Sequence, residues 1–342
     1  MRVVAFVGEA QAAGAPGALV DAEWPDPVLD RPQDLLVRVH GVSVNPRDLK
    51  SRKAFAATPA APIVLGYDAS GVVEAVGAAV TAFRPGDPVF YAGVLDRPGS
   101  NAALQLVDAR IVGRKPASLD HTAAAALPLI ALTAYEMLFD RLGLVPGQGH
   151  GEAILILGGA GGVPSLAIGL ARALTGLTVV ASASRPESEA HVRALGAHHV
   201  VDHRRPLKPQ IETLGLAEPL RAVFSTHTTP DVWADLAACL APQGRFGLID
   251  DPPPLDLRLM KMKSISVHWE AMFTRPMFAT PDMARQHDIL THVADLVDSG
   301  RLPAVPTRSF GPLAAASLEA AHAAVAEGHT IGKVVLTGLG HG

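Results

Sequence analysis

The chain has almost no cysteine. Cys239 is the only one among 342 residues, so no disulfide can form within one chain, and a reducing, cytoplasmic setting fits that usage. An excess of one charge sign is missing too: 29 Lys and Arg stand against 33 Asp and Glu, a formal net charge of −4. With no basic block and no interleaving of basic and aromatic residues, nucleic acid is not an expected partner. Long uninterrupted apolar runs are absent, and the N-terminus lacks a signal-peptide pattern, so no membrane partner is expected. Residues 3–7 read as a first strand instead. What the chain does have is apolar substance: 49% of its residues are hydrophobic, enough for substantial cores, and its length suggests two domains of ordinary size.

The most informative stretch is AILILGGAGGVP at 153–164, followed by SLAIGLARAL at 165–174. An apolar run, a glycine turn and a helix start form the arrangement that cradles a dinucleotide pyrophosphate. Close approach to phosphates needs residues without side chains, and a helix start offers unpaired N–H groups at a positive dipole end. Gly159 and Gly161 take the first two positions of G-x-G-x-x-G, and Gly162 and Val163 beside them are further cofactor-binding candidates. Pro164 stands where the third glycine belongs. It is tolerable because the first helical turn has no intrahelical use for its N–H, although its ring is bulkier than glycine. The plain alternative is a glycine-rich turn that binds no nucleotide.

The second strand, 177–182, chooses between cofactors. NAD is usually met by Asp or Glu about 20 residues past the glycines. Here the strand runs into Ser182-Ala183-Ser184-Arg185-Pro186-Glu187-Ser188, with no acid at its end. Arg185 can meet a 2′-phosphate through a forked, charge-assisted contact, so NADPH is the expected cofactor. Ser184 and Glu187 are also expected to form a capping box, with Pro186 in the first turn. Around this core the pattern alternates: strands at 153–157, 177–182, 199–201, 222–225 and 244–249, helices at 165–174, 187–195 and 231–240. That is the rhythm of a parallel α/β sheet. The first third reads as strands at 35–42, 71–77 and, after the turn Pro85-Gly86-Asp87, to residue 91. A helix is expected over 123–142, another over about 283–299, and a last strand over 333–336.

A β-rich N-terminal part, a Rossmann unit and a C-terminal return together resemble the medium-chain dehydrogenase/reductase superfamily. More closely, the chain resembles the zinc-independent quinone oxidoreductase branch and its group labelled "zinc-type alcohol dehydrogenase-like". The matching stretches include GVSVNPRD at 41–48, LGYDASGVV at 65–73, FRPGDPV at 83–89, ASRPES at 183–188, and HWE with MFTR at 268–270 and 272–275. The resemblance implies a GroES-like catalytic domain over 1–124, completed by 270–342, and a Rossmann-type dinucleotide-binding domain over 125–269. It also implies a site between them. There Asn45 and Tyr67 would be catalytic, the first at the nicotinamide and the second lining the substrate pocket. A turn residue before Pro46 and a packed structural tyrosine are their ordinary alternatives. Thr133 would touch the cofactor, Ser184 and Arg185 would hold the 2′-phosphate with His203 at the same edge, and Thr226 would face the ribose side. Ile249 and Asp250 would lie near the nicotinamide, and Lys333 matches a family position near the cofactor. As a surface lysine it would need no such role. Asp48 and Asp68 are expected to satisfy local backbone and positive partners.

Zinc-dependent relatives carry a cysteine near Asn45 and Gly-His-Glu where this chain has Gly66-Tyr67-Asp68. Neither Asn45 nor Tyr67 is a zinc ligand, and no metal site is expected. A second grouping, His198 and His199 with Asp202 and His203, has imidazoles and a carboxylate at a spacing that could catch a metal, but it reads rather as surface or cofactor-edge histidines. The function implied is NADPH-dependent, zinc-independent hydride transfer to a quinone or an activated C=C bond. The alternatives are a zinc-dependent alcohol dehydrogenase and a nucleotide-binding protein without turnover. The expected partners are a small-molecule substrate and, through an edge strand at 264–268, a second copy of the chain.

Overall fold

The computed structural model describes residues 1–8, 17–56 and 61–340. The chain forms two compact units, one of Met1–Leu132, Phe273–Gly300 and Ala304–Gly342, the other of Thr133–Met272 with Arg301–Pro303.

The first unit opens with β1 (Arg2–Val7), β2 (Ala18–Glu23), β3 (Asp34–Val44), α1 (Pro46–Ala56), β4 (Ile63–Val64), β5 (Asp68–Val76), β6 (Pro88–Ala92), β7 (Leu104–Asp108) and β8 (Val112–Arg114). Helices α2 (His121–Ala124) and α3 (Pro128–Tyr135) follow. The other unit holds β9 (Ala153–Ile156), α4 (Gly162–Leu174), β10 (Thr178–Ser182), α5 (Pro186–Ala194), β11 (His199–Val201), α6 (Leu207–Glu212), β12 (Leu220–Ser225), α7 (Pro230–Cys239), β13 (Leu240–Leu248), α8 (Arg258–Lys261) and β14 (Ser266–Trp269). The chain then returns with α9 (Thr274–Met277), α10 (Arg285–Asp298), β15 (Thr307–Pro312), α11 (Ala315–Ala326) and β16 (Lys333–Thr337).

In the first unit the long strand β3 is the hub. It pairs antiparallel with β5, β7 and β16 within a seven-stranded sheet, and β1 joins β2 and β4 in a smaller one. Val37, Val39, Val42 and Val44 of β3 are buried in the core with Val89, Ile111, Leu318 and Leu336. Register matters more than composition here. It sets Ser43 opposite Asp68 and Val44 opposite Val334, so the end of β3 meets the start of both β5 and β16.

The second unit is a six-stranded parallel sheet in the order β11-β10-β9-β12-β13-β14. The chain starts in the middle, runs to one edge, then crosses back. This is the doubly wound dinucleotide-binding order, with its switch point between β9 and β12. The near-continuous burial of β9, β10 and β12 is what a sheet covered on both faces requires.

Three expectations change. The helix expected over 123–142 is broken at Ala125–Leu127: Asp120 caps α2 by accepting the Ala123 N–H at 2.7 Å, and Pro128 starts α3 where its missing N–H is harmless. The segment Glu136–Arg141 then winds as a π-helix. Second, β2, β4, β7, β8, β15 and helices α1, α6, α8, α9 and α11 escape the sequence pattern. β2 and β15 are largely exposed, so neither carries clean apolar alternation. Third, among the described residues one stretch, His121–Arg141 taken across that break, is long and apolar enough by composition to cross a membrane. Its apolar window is 83% buried within the fold, the situation of a core helix.

Candidate cofactor cradle and buried polar network

The glycine turn closes β9. Gly158 has φ +74°, a left-handed conformation that favours glycine, and a Cβ there would stand 2.4 Å from Thr226 Oγ1. Its N–H donates to Ser182 Oγ at 2.9 Å, and the Gly159 N–H donates to the Ser182 carbonyl at 3.0 Å. The end of β10 therefore fixes the turn after β9. Gly161 is the N-cap of α4, so Gly162, Val163 and Pro164 form its first turn and only the first two carry N–H groups. Both are half-exposed, and these donors sit at the dipole end that welcomes phosphate. Gly161 has ordinary extended angles, φ −69° and ψ 166°, and a Cβ on it would meet nothing closer than 3.5 Å. The fold makes no demand for glycine there. A ligand backbone laid against the turn would, and in this respect the residues present fit a dinucleotide.

At the next helix the N-cap is Arg185, whose N–H donates to Ser188 Oγ at 3.1 Å. The expected box of Ser184 and Glu187 is thus displaced by one residue, because Pro186 takes the first helical position. Ser184 and Arg185 are half-exposed at this helix start. His203, after β11, lies 3.2 Å from Ser182 Oγ, and burial lowers its pKa, which favours a neutral imidazole. Thr226 donates to the Leu157 carbonyl at 3.2 Å, which ties the ends of β9 and β12 together. Asp250 is engaged locally: it accepts the Thr228 N–H at 2.5 Å and the Thr228 hydroxyl at 3.0 Å. Ile249 beside it is half-buried, and Thr133 is buried in α3. Gly158 and Ser182 are the participants that motif spacing missed. Gly158 directly follows the apolar run, and a serine closing an apolar strand was the available signal for Ser182.

In the first unit the register of β3, β5 and β16 gathers a second group. Asp68 Oδ2 accepts from Ser43 Oγ at 2.6 Å, Asn45 Nδ2 at 2.7 Å and Lys333 Nζ at 3.3 Å, while Oδ1 accepts the Leu129 N–H at 2.8 Å. Lys333 also donates to Asn45 Oδ1 at 2.5 Å and to the Val44 carbonyl at 3.1 Å. It is therefore not a surface lysine. It is 4% exposed, beside Asp68 at 0% and Asn45 at 2%. Asp48, in the first turn of α1, accepts the Asn45 backbone N–H at 2.7 Å, and burial pushes its carboxyl up to about 7. Tyr67 is buried, edge-on to Phe273 with ring centroids 5.4 Å apart, and its hydroxyl pairs with Ser51 at 2.6 Å. Burial also raises the Tyr67 phenol, so it stays neutral at ordinary pH.

These donors do not fit a zinc ion. The two oxygens that a cation would seek, Asn45 Oδ1 and Asp68 Oδ2, already face the Lys333 ammonium. Among the described residues no group of three or more His, Cys, Asp or Glu is arranged to hold a metal. His198 is occupied structurally, accepting the Val179 N–H at 2.8 Å.

Comparison with known proteins agrees with both halves of the chain. Residues 31–114 match the alcohol dehydrogenase GroES-like domain, and residues 195–336 match the family described as zinc-binding dehydrogenase. The chain is 38% identical to a zinc-type alcohol dehydrogenase-like protein of Staphylococcus aureus (strain COL), over 89% of this chain and 90% of that one. It is 30% identical to the mitochondrial NAD(P)H oxidoreductase RTN4IP1 of Homo sapiens, over 91% of this chain and 83% of that protein. A crystal structure from Rhizobium etli CFN 42, of a protein provisionally named a zinc-dependent alcohol dehydrogenase, superposes with a TM-score of 0.92 at 50% identity, covering 99% of this chain and 98% of that one. The chain belongs to the medium-chain dehydrogenase/reductase superfamily. It is an oxidoreductase of that family, with a GroES-like part and a Rossmann-type parallel sheet.

Proposed function

We propose that this oxidoreductase uses NADPH, works without zinc, and reduces a quinone or an activated carbon–carbon double bond such as that of an enal or enone. The observation that carries the cofactor choice is the junction of β10 and α5, where Ser184 and Arg185 stand at a helix start with no acid at the strand end. NADPH, when bound, supplies the hydride equivalent. The Gly162 and Val163 N–H groups hold its pyrophosphate. Arg185 supplies charge to the 2′-phosphate, Ser184 a hydroxyl, and the neutral His203 a hydrogen bond. Asn45 retains one N–H beyond its bond to Asp68. In this reading that N–H and the neutral Tyr67 phenol stabilise the oxygen that gathers negative charge on the acceptor. The metal-free part rests on the Lys333 ammonium standing where a cation would bind.

The test is oxidation of NADPH by purified, chelator-treated protein with a para-quinone and with a simple enal, NADH run in parallel. Turnover that favours NADPH is expected. Activity lost on chelation and restored by zinc would return the zinc-dependent reading. Tight NADPH binding with no oxidation by any acceptor would leave a nucleotide-binding protein.

We also propose that the protein pairs with a second copy through β14, the outer strand of the six-stranded sheet. Its outer edge, which pairs with no other strand among the described residues, ends in Trp269, which is 60% exposed. Light scattering at micromolar concentration should give twice the mass of one chain, and a monomer would overturn the proposal.

A further inference from the structure

Lys333 and Asp68 do more than neutralise each other. An ammonium has three N–H donors. Those of Lys333 meet three protein acceptors, the Val44 carbonyl, Asn45 Oδ1 and Asp68 Oδ2. None is left over for a cofactor phosphate. The same two charged groups grip opposite ends of one amide: the ammonium holds Asn45 Oδ1, and the carboxylate holds Asn45 Nδ2. Turning that amide over would set its NH2 against an ammonium and its oxygen against a carboxylate. Two attractive contacts would become two repulsive ones, in a buried setting where charge is poorly screened. Asp68 cannot drift to relieve this, because Ser43 and the Leu129 N–H hold its two oxygens.

We propose that Lys333 is a positioning residue that acts through Asn45, with Asp68 as its counter-charge. The clamp fixes the amide so that one Nδ2–H is committed to Asp68 and the other faces the substrate oxygen. An amide in one orientation presents a donor at all times, whereas a freely flipping one presents an oxygen part of the time and repels developing negative charge. The use of that N–H rests on the reductase reading above. The clamp itself does not.

The variants are Lys333→Met, which keeps the chain length without the charge, and Lys333→Met with Asp68→Asn, which removes both charges. The double variant covers the case in which an unpaired buried Asp68 prevents the single one from folding. In whichever folds, kcat with NADPH and the best acceptor should fall at least about tenfold, while the NADPH Kd from fluorescence titration stays within about twofold. A readout that needs no turnover is hydrogen exchange of the Asn45 side-chain NH2, followed by 15N NMR and assigned by its loss in Asn45→Ser. Exchange should be slow in the wild type and at least about tenfold faster in the variants. Weakened NADPH binding with unchanged kcat would make Lys333 a cofactor contact and overturn the proposal. Unchanged amide exchange would overturn it too. Faster exchange in the variants of a wild type that reduces no acceptor would uphold the clamp and reject the reductase reading instead.

Discussion

Two glycines of one turn are glycine for different reasons. Gly158 answers to the fold, with φ +74° and Thr226 Oγ1 2.4 Å from where a Cβ would stand. Gly161 has ordinary angles and 3.5 Å of clearance. Gly161→Ala should therefore leave the melting temperature within about 2 °C, yet weaken NADPH binding about tenfold, or ~1.4 kcal/mol. Gly158→Ala should lose about 1–2 kcal/mol of stability. Thermal melts and fluorescence titration on the same samples separate the two effects, and an unaffected NADPH affinity in Gly161→Ala would move the pyrophosphate away from this turn. Arg185→Ala should weaken NADPH by about 1.5–3 kcal/mol and leave NADH nearly unchanged if Arg185 meets the 2′-phosphate as proposed, since only NADPH carries it. Equal losses for both cofactors would count against that contact. Spacing alone named Gly159, Gly161 and Arg185. It missed Gly158 because a sequence shows glycines but not which of them has a positive φ.

Among the elements, those with strong local punctuation were legible: β9, α4, β10, α5 and the turn before β6. Elements stabilised by neighbours were not. β8 is three residues long, and it packs under α10, where a Cβ on Gly113 would stand 2.4 Å from Leu290 Cβ and 2.9 Å from Phe90 Cε1. Gly113→Ala should push α10 off the strand and lose about 1–3 kcal/mol, read as a lower urea midpoint. A midpoint equal to the wild type would mean that the helix shifts freely. The break between α2 and α3 follows the same logic. Apolar composition promises one helix, but Asp120 and Pro128 are start signals for two. The π-helical segment after them carries Glu136 and Arg141. Arg141 donates to Glu270 at 2.8 Å, across 129 residues of sequence that give no hint of the pairing.

For the molecule as a whole, each unit buries an acid that resists ionising. Burial pushes Asp48 up to about 7, against the opposing pull of the Asn45 N–H and Lys333. Burial, then the neighbouring Glu136, pushes Glu270 up to about 8 despite Arg141. A carboxyl raised on folding keeps a proton that the unfolded chain releases near pH 4, so its contribution is complete below about pH 4 and is lost as pH rises through 7 or 8. The urea midpoint should therefore decline between about pH 5 and 8, and Asp48→Asn with Glu270→Gln should flatten that slope. A wild-type midpoint that rises over this range would contradict the sign.

Sequence by itself determined what is local. A strand, a glycine turn and a helix start are contiguous, their physics is completed within about 30 residues, and the turn could be read from 153–174 and the next helix start from 182–188. Only tertiary structure decided the polar network. Asn45 and Asp68 are 23 residues apart, and Lys333 lies 265 residues beyond Asp68. They meet because β5 and β16 both pair with the end of β3 in a particular register. Sequence reading offered Lys333 a place at the cofactor or on the surface. Burying an ammonium needs acceptors on every side, and the three strands supply them only once they are assembled.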